Sequence, residues 1–201
     1  MKTDSNLSPL AHWPKQQFFV RAIWVESFDG SIAGSDSTSA SLSNQTDRQY
    51  FKQVRAGADL SVIGAKTVRL EDPPAGPKKT LIISSRNDLN PTLRVFASDQ
   101  TYLVSKNPLS FAKSVYAQLP LRGDSLKALL KDMDCERILV EGGAEVFNLF
   151  LESDLIDECL VTISPKSGDS SQQVHLSDYP FKLSQEVIID EYRYQSHLRQ
   201  A

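Results

Sequence analysis

Short β-branched apolar runs alternate with helical segments along most of this chain, and that alternation restricts the fold more than any other feature. QFFVRAIWV reads as a buried strand from Gln17 to Val25, entered from a polar N-terminal arm. TDRQYFKQVRAGA follows as a helix capped by Thr46, with Phe51, Val54 and Ala58 at helical spacing and Gly57 at its exit. ADLSVIG, KKTLIISS, TYLVS and RILVEGG carry the strand signal. AKTVRLE, stopped at Asp72-Pro73-Pro74, reads as a helix, as do DSLKALLKDMD and AEVFNLFLES. DECLVTISP and SQEVIIDEYRY have no helix between them and read as antiparallel strands closing a sheet edge. The expected class is therefore α/β, with a mixed, mostly parallel central sheet and antiparallel C-terminal strands. Residues 1–16 form the arm and residues 17–201 a single domain.

Composition narrows the function classes. With 25 acidic against 22 basic side chains and a formal net charge of −3, no basic excess suggests nucleic acid. Residues 18–25 are interrupted by Arg21 and fall short of the roughly 20 apolar residues needed to cross a bilayer. The N-terminus MKTDSNLSPL lacks an apolar leader segment, so a cytoplasmic protein without a membrane partner is expected. Cys135 and Cys159 form no CxxC pair, and His12, His175 and His197 lack metal-ligand spacing, so no metal site is expected.

Three strand ends carry residues suited to chemistry. In ILVEGGAEVF, Glu141 is followed by Gly142 and Gly143 at a helix start. Glycines there permit close approach of a ligand, and the helix N-terminus favours phosphate oxygens, although two glycines equally serve a tight turn. SVIGAKT places Gly64 before a helix containing Thr67, and TLIISSR places Ser84, Ser85 and Arg86 after a strand. In an open α/β sheet such ends line one crevice, where Ser and Arg suit a 2′-phosphate and hence NADP; an ordinary polar turn is the alternative for SSR. The intervening ESFDGSIAGSDSTSASLSNQ is too rich in Ser, Asp and Gly for a helix and long for a structureless connection.

SFDGSIAG, QVRAGADLSVIGAKTVRLEDP and ILVEGGAEVFNLFLESDLIDECLVTISPK, in this order, together resemble the reductase family of riboflavin biosynthesis. That family is the C-terminal reductase domain of the bifunctional deaminase-reductase. The resemblance implies a dihydrofolate reductase-like three-layer sandwich that works as a homodimer. It implies NADPH-dependent reduction of 5-amino-6-(5-phosphoribosylamino)uracil, or a close relative, by hydride delivery to C1′ of the sugar. The family's deaminase motifs, HxE and PCxxC, do not occur here, so a stand-alone reductase is expected.

Carried over by position, the resemblance makes Ser39, Arg55, Lys78 and Glu141 substrate contacts. It makes Ser41, Thr67, Glu71 and the run Gly142, Gly143, Ala144, Glu145 and Val146 cofactor contacts, beside Gly64, Ser84, Ser85 and Arg86 from the strand-end reading. Glu71 is the expected catalytic acid, assisting imine formation or protonating the departing ring oxygen. The chain departs from the family pattern in having Ile23 for a lysine, Glu26 for alanine or glycine and Ser41 for a tryptophan. The competing expectations are a dihydrofolate reductase-like activity and a non-catalytic nucleotide-binding protein on the same fold.

Overall fold

The computed structural model describes residues 6–15, 18–86, 88–115, 121–169 and 172–200. Gln17, expected to begin the first strand, and residues 1–5 and 16 of the arm lie outside the described residues. The chain runs α1 (Ser8–Ala11), β1 (Phe19–Ser27), α2 (Gln45–Gly57), β2 (Leu60–Gly64), α3 (Ala65–Glu71), β3 (Lys79–Ile83) and β4 (Thr101–Val104). It continues through β5 (Lys113–Ser114), α4 (Gly123–Asp132), β6 (Arg137–Gly142), α5 (Ala144–Glu152), β7 (Glu158–Ser164), β8 (Phe181–Ile189) and β9 (Tyr192–Arg199).

These strands form one sheet in the order β5-β4-β3-β2-β6-β1-β7-β9-β8. Neighbours from β5 across to β7 pair in parallel, whereas β9 is antiparallel to both β7 and β8. The parallel strands have helices on both faces and so must be apolar on both, which is why β6 reads as the unbroken run Ile138, Leu139, Val140. One face packs Val20, Ala22, Trp24, Val62 and Val140 against Leu126 and Leu130 of α4 and Phe147 and Phe150 of α5. The other packs Phe19, Ile23, Leu139, Leu160 and Tyr194 against Tyr50 and Val54 of α2. The result is the expected α/β three-layer sandwich.

The N-terminal segment is part of that second layer. Leu7, Leu10, Ala11 and Trp13 are buried in the same cluster, and the Trp13 indole N–H donates to the Val54 carbonyl at 2.9 Å. Beneath them Arg21, 2% exposed, donates from Nε to Glu158 at 2.8 Å and from Nη2 to the His12 carbonyl at 2.9 Å. Its guanidinium lies 4.5 Å from the centre of a Trp13 ring. A charge in mid-strand is tolerated because a carboxylate, a carbonyl and an aromatic face together replace its water.

Two local expectations are corrected. The N-cap of α2 is Asn44, not Thr46: the Asn44 side chain accepts from the Asp47 backbone N–H at 2.7 Å, and Thr46 already lies in the first turn. SQEVIIDEYRY is not one strand but the tip of a hairpin, with Ile189 paired to Tyr192 and Asp190-Glu191 turning between them. Both turn residues have positive φ, 49° and 66°, the geometry of a two-residue hairpin loop.

Candidate active site

β6 enters the sheet between β1 and β2, and the loop from β1 to α2 passes over the carboxyl ends of these strands. A cavity of about 320 Å³ opens there. Its inner wall is apolar, from Ile23, Trp24 and Val25 on β1, Ile63 on β2 and Phe147 on α5. The loop adds Ser37, Ser39 and Ser43, α2 presents Asp47, Phe51 and Arg55 at intervals of four residues, and α3 adds Thr67 and Glu71. That spacing puts the α2 residues in one row along the helix.

The polar groups on this wall are organised in three places. Arg55 donates through Nε to Glu141 at 2.7 Å and through Nη2 to its second oxygen, and the Ser61 hydroxyl donates to the same carboxylate at 2.7 Å. Burial opposes the Arg55 charge, but the Glu141 carboxylate outweighs it, and the Arg55 pKa is raised. At the far end of the row Asp47 is 7% exposed and accepts from the Ser43 hydroxyl at 2.5 Å. Burial pushes the Asp47 carboxyl up from its ordinary range, with hydrogen bonds from Ser43 and Thr162 holding it back. Near the mouth, the Ser39 hydroxyl donates to Glu71 at 3.2 Å.

The turn from β6 to α5 forms a second feature at the same edge. Gly142 and Gly143 have φ of 147° and 83°, and α5 begins with no side-chain cap on its first backbone N–H groups. A Cβ on Gly143 would stand 3.2 Å from the Thr67 hydroxyl, and one on Gly64 would stand 3.1 Å from Val146 and 3.2 Å from the Gly142 carbonyl. Glycine is thus needed where this turn crowds Thr67, Val146 and the Gly142 carbonyl, and a helix N-terminus without a side-chain cap at this edge is suited to phosphate oxygens. Register brings the neighbouring strand ends level, with Gly142 beside Ile63 and Gly64 beside Ile83. Ser84, Ser85 and Arg86 continue from β3 at this edge.

Of the residues expected from sequence, Ser39, Arg55, Thr67, Glu71, Glu141 and Gly143 line the cavity together. Gly142, Ala144, Glu145 and Val146 form the adjoining turn and first turn of α5, where Val146 is buried and Glu145 exposed, and Gly64 at the end of β2 packs against them. The others are placed elsewhere. The Lys78 ammonium donates to the Ala56 and Ala58 carbonyls at 2.8 and 2.6 Å, holding the C-terminus of α2 rather than facing the cavity. Ser41 donates to Asp36 at 2.9 Å within the loop, and Ser84 bonds the Arg86 backbone within its own turn. Ser85 and Arg86 are exposed beyond the cavity wall.

Sequence reasoning missed Asp47, Trp24 and Phe147. An aspartate in the first turn of a helix is an ordinary dipole partner, so its type carried no signal; only its four-residue spacing from Phe51 and Arg55 did. Trp24 and Phe147, 5.1 Å apart between ring centres, look like core aromatics until the loop is seen to leave them at a cavity.

A family model described as the RibD C-terminal domain matches residues 19–187. The riboflavin biosynthesis protein RibD of Aquifex aeolicus is 25% identical over 170 residues, covering 74% of this chain and 46% of that protein. The chain thus spans about half the length of the curated relatives it matches. Among solved structures, a diaminohydroxyphosphoribosylaminopyrimidine deaminase/5-amino-6-(5-phosphoribosylamino)uracil reductase from Thermotoga maritima superposes with a TM-score of 0.74 at 20% identity. That match covers 92% of this chain and 58% of the other. Dihydrofolate reductase from Enterococcus faecalis, in complex with NADP(H), superposes with a TM-score of 0.61 at 15% identity over 92% of this chain and 100% of its own. The fold is dihydrofolate reductase-like.

Proposed function

Since the chain belongs to the RibD C-terminal domain family, we propose that it is an NADPH-dependent reductase of a ribosylated aminopyrimidine, 5-amino-6-(5-phosphoribosylamino)uracil or a close relative. One observation carries the reading: the uncapped N-terminus of α5, with Gly64, Gly142 and Gly143 around it, adjoins a cavity whose wall holds Glu71 and the Arg55–Glu141 pair. The names of the Aquifex and Thermotoga relatives support the substrate class.

NADPH fits the residues present. The first N–H groups of α5 and the Thr67 hydroxyl would hold its pyrophosphate, and Ser85 and Arg86 beyond β3 would meet its 2′-phosphate. Bound there, it would supply a hydride to C1′ of the sugar. Glu71, with the Ser39 hydroxyl on one oxygen, would hold the proton that goes to the ring oxygen as the C1′–O bond breaks. Arg55 and Glu141, paired between α2 and β6 on the cavity wall, would meet the substrate, while the apolar face of β1 would exclude water from the reacting carbon. The protein would act in the cytoplasm as a homodimer. Two free thiols, at Cys135 and Cys159, support a reducing compartment, and among the described residues no helix is long and apolar enough to cross a membrane.

The test is calorimetric titration with NADPH and with NADH, followed by NADPH oxidation on addition of the pyrimidine. NADPH-selective binding, with selectivity lost in Arg86→Ala and turnover reduced by a factor of at least about 100 in Glu71→Gln, is the expected result. Binding of neither nucleotide would overturn the reading. NADPH binding without oxidation by this substrate or by dihydrofolate would leave a non-catalytic nucleotide-binding protein.

A further inference from the structure

Resting on that reductase reading, we propose that Trp13 and Lys78 are positioning residues for substrate binding: from two separate segments they clamp the last turn of α2 and so hold Arg55 in its fork on Glu141. Neither residue lines the cavity. The end of the helix joins them to it. An α-helix leaves its last four carbonyls without intrahelical partners, and a helix end is among the first parts of a fold to open. Arg55 sits in that last turn, its guanidinium 5.0 Å from the centre of the Phe51 ring and paired with Glu141.

α2 ends without a cap of its own. The chain leaves it in extended form at Ala58, with φ of −77° and ψ of 152°, rather than through a left-handed residue. The Ala58 N–H turns to the Arg55 carbonyl at 3.1 Å, so the Val54 carbonyl loses the partner that a continuing helix would supply. The Trp13 indole replaces it in a buried hydrogen bond of 2.9 Å. The Lys78 ammonium takes the Ala56 carbonyl at 2.8 Å and the Ala58 carbonyl just beyond at 2.6 Å. The carbonyls on either side of Arg55 are therefore held from outside the helix, Val54 by the N-terminal segment and Ala56 by the segment before β3. The indole also lies against bare backbone, since a Cβ on Gly57 would stand 2.2 Å from Trp13 Cδ1. Arg21, 4.5 Å from a Trp13 ring centre and bonded to the His12 carbonyl and Glu158, ties that segment to the sheet. Were the last turn to open, Arg55 would leave Glu141, a buried carboxylate, without its charge partner.

The test uses the full chain. By NMR on nitrogen-labelled protein, the Arg55 Nε–H, assigned by its loss in Arg55→Lys, reports the fork without substrate. Trp13→Phe keeps a ring and removes the indole donor; Lys78→Met keeps the stem and removes the ammonium. Each is expected to speed solvent exchange of that proton by about tenfold or more, and to raise KM for the pyrimidine by a similar factor while kcat and NADPH affinity stay unchanged. Leu129→Ala, in the core on the opposite face of the sheet, lowers the urea midpoint and is expected to leave exchange and KM at wild-type values. Should Trp13→Phe not fold, Lys78→Met, at an exposed residue, carries the same test. Wild-type exchange in Lys78→Met, or an equal response in Leu129→Ala, would overturn the proposal. Faster exchange in a chain that binds no NADPH would overturn the reductase reading alone, and NADPH-dependent turnover with exchange unmoved this proposal alone.

Discussion

Glu141 and Asp47 sit on one cavity wall and meet burial differently. Glu141 has a guanidinium fork and a hydroxyl, whereas Asp47 has hydroxyls alone. Burial raises the Asp47 pKa on folding, so its contribution to stability is greatest below the unfolded carboxylate range and is lost as pH rises through the folded value. Asp47→Asn removes that loss. The variant is expected to be more stable than wild type at neutral pH, with the gain shrinking as pH falls into the ordinary carboxylate range; urea midpoints across pH measure it. A gain independent of pH would mean that ionisation is not the cause. The contrast also explains what could be read in advance. Glu141 was legible because the glycines after it mark a strand end, whereas Asp47 needed the loop and Ser43 in place before it became a wall residue. Lys78, expected as a substrate contact, donates to two helix carbonyls instead, because where an ammonium reaches depends on where the preceding prolines send the chain.

The parallel strands were legible because burial on both faces leaves nothing but apolar side chains, as in Ile138, Leu139 and Val140. The C-terminal hairpin was not. Its two-residue loop is Asp190-Glu191 rather than Asn-Gly, so no turn signal separates EVII from YRY. Both loop residues carry positive φ without being glycine, which leaves strain that a better loop sequence relieves. Asp190→Asn combined with Glu191→Gly is expected to raise stability by about 1 kcal/mol, read from the denaturation midpoint at unchanged m value. No change would mean that hairpin packing, not loop geometry, sets the cost. The start of α2 gives a milder version of the lesson, since Asn44 and Thr46 are both competent caps and only the direction of the incoming loop decides between them.

The order of strands could not be read, because β6 is inserted between β1 and β2 by a crossover that joins residues far apart in sequence. The same order leaves β8 at an edge, with Leu183 and Ile188 exposed on it and Leu198 exposed on β9. An unpaired edge carrying apolar side chains invites a second copy, and the proposed homodimer would use it. Sedimentation is expected to give the mass of two chains, reduced to one in Leu183→Lys/Ile188→Lys; a wild-type mass of one chain would remove the dimer. Arg21 has a consequence of another kind, in the order of synthesis. Its carboxylate partner Glu158 is translated 137 residues after it. On the ribosome the first strand therefore carries a cation that cannot yet be buried, and Trp13, Leu10 and Leu7 have no finished layer to close against. The molecule's beginning is completed only by its end, so a nascent chain halted before β7 should remain open to proteases at its N-terminal layer.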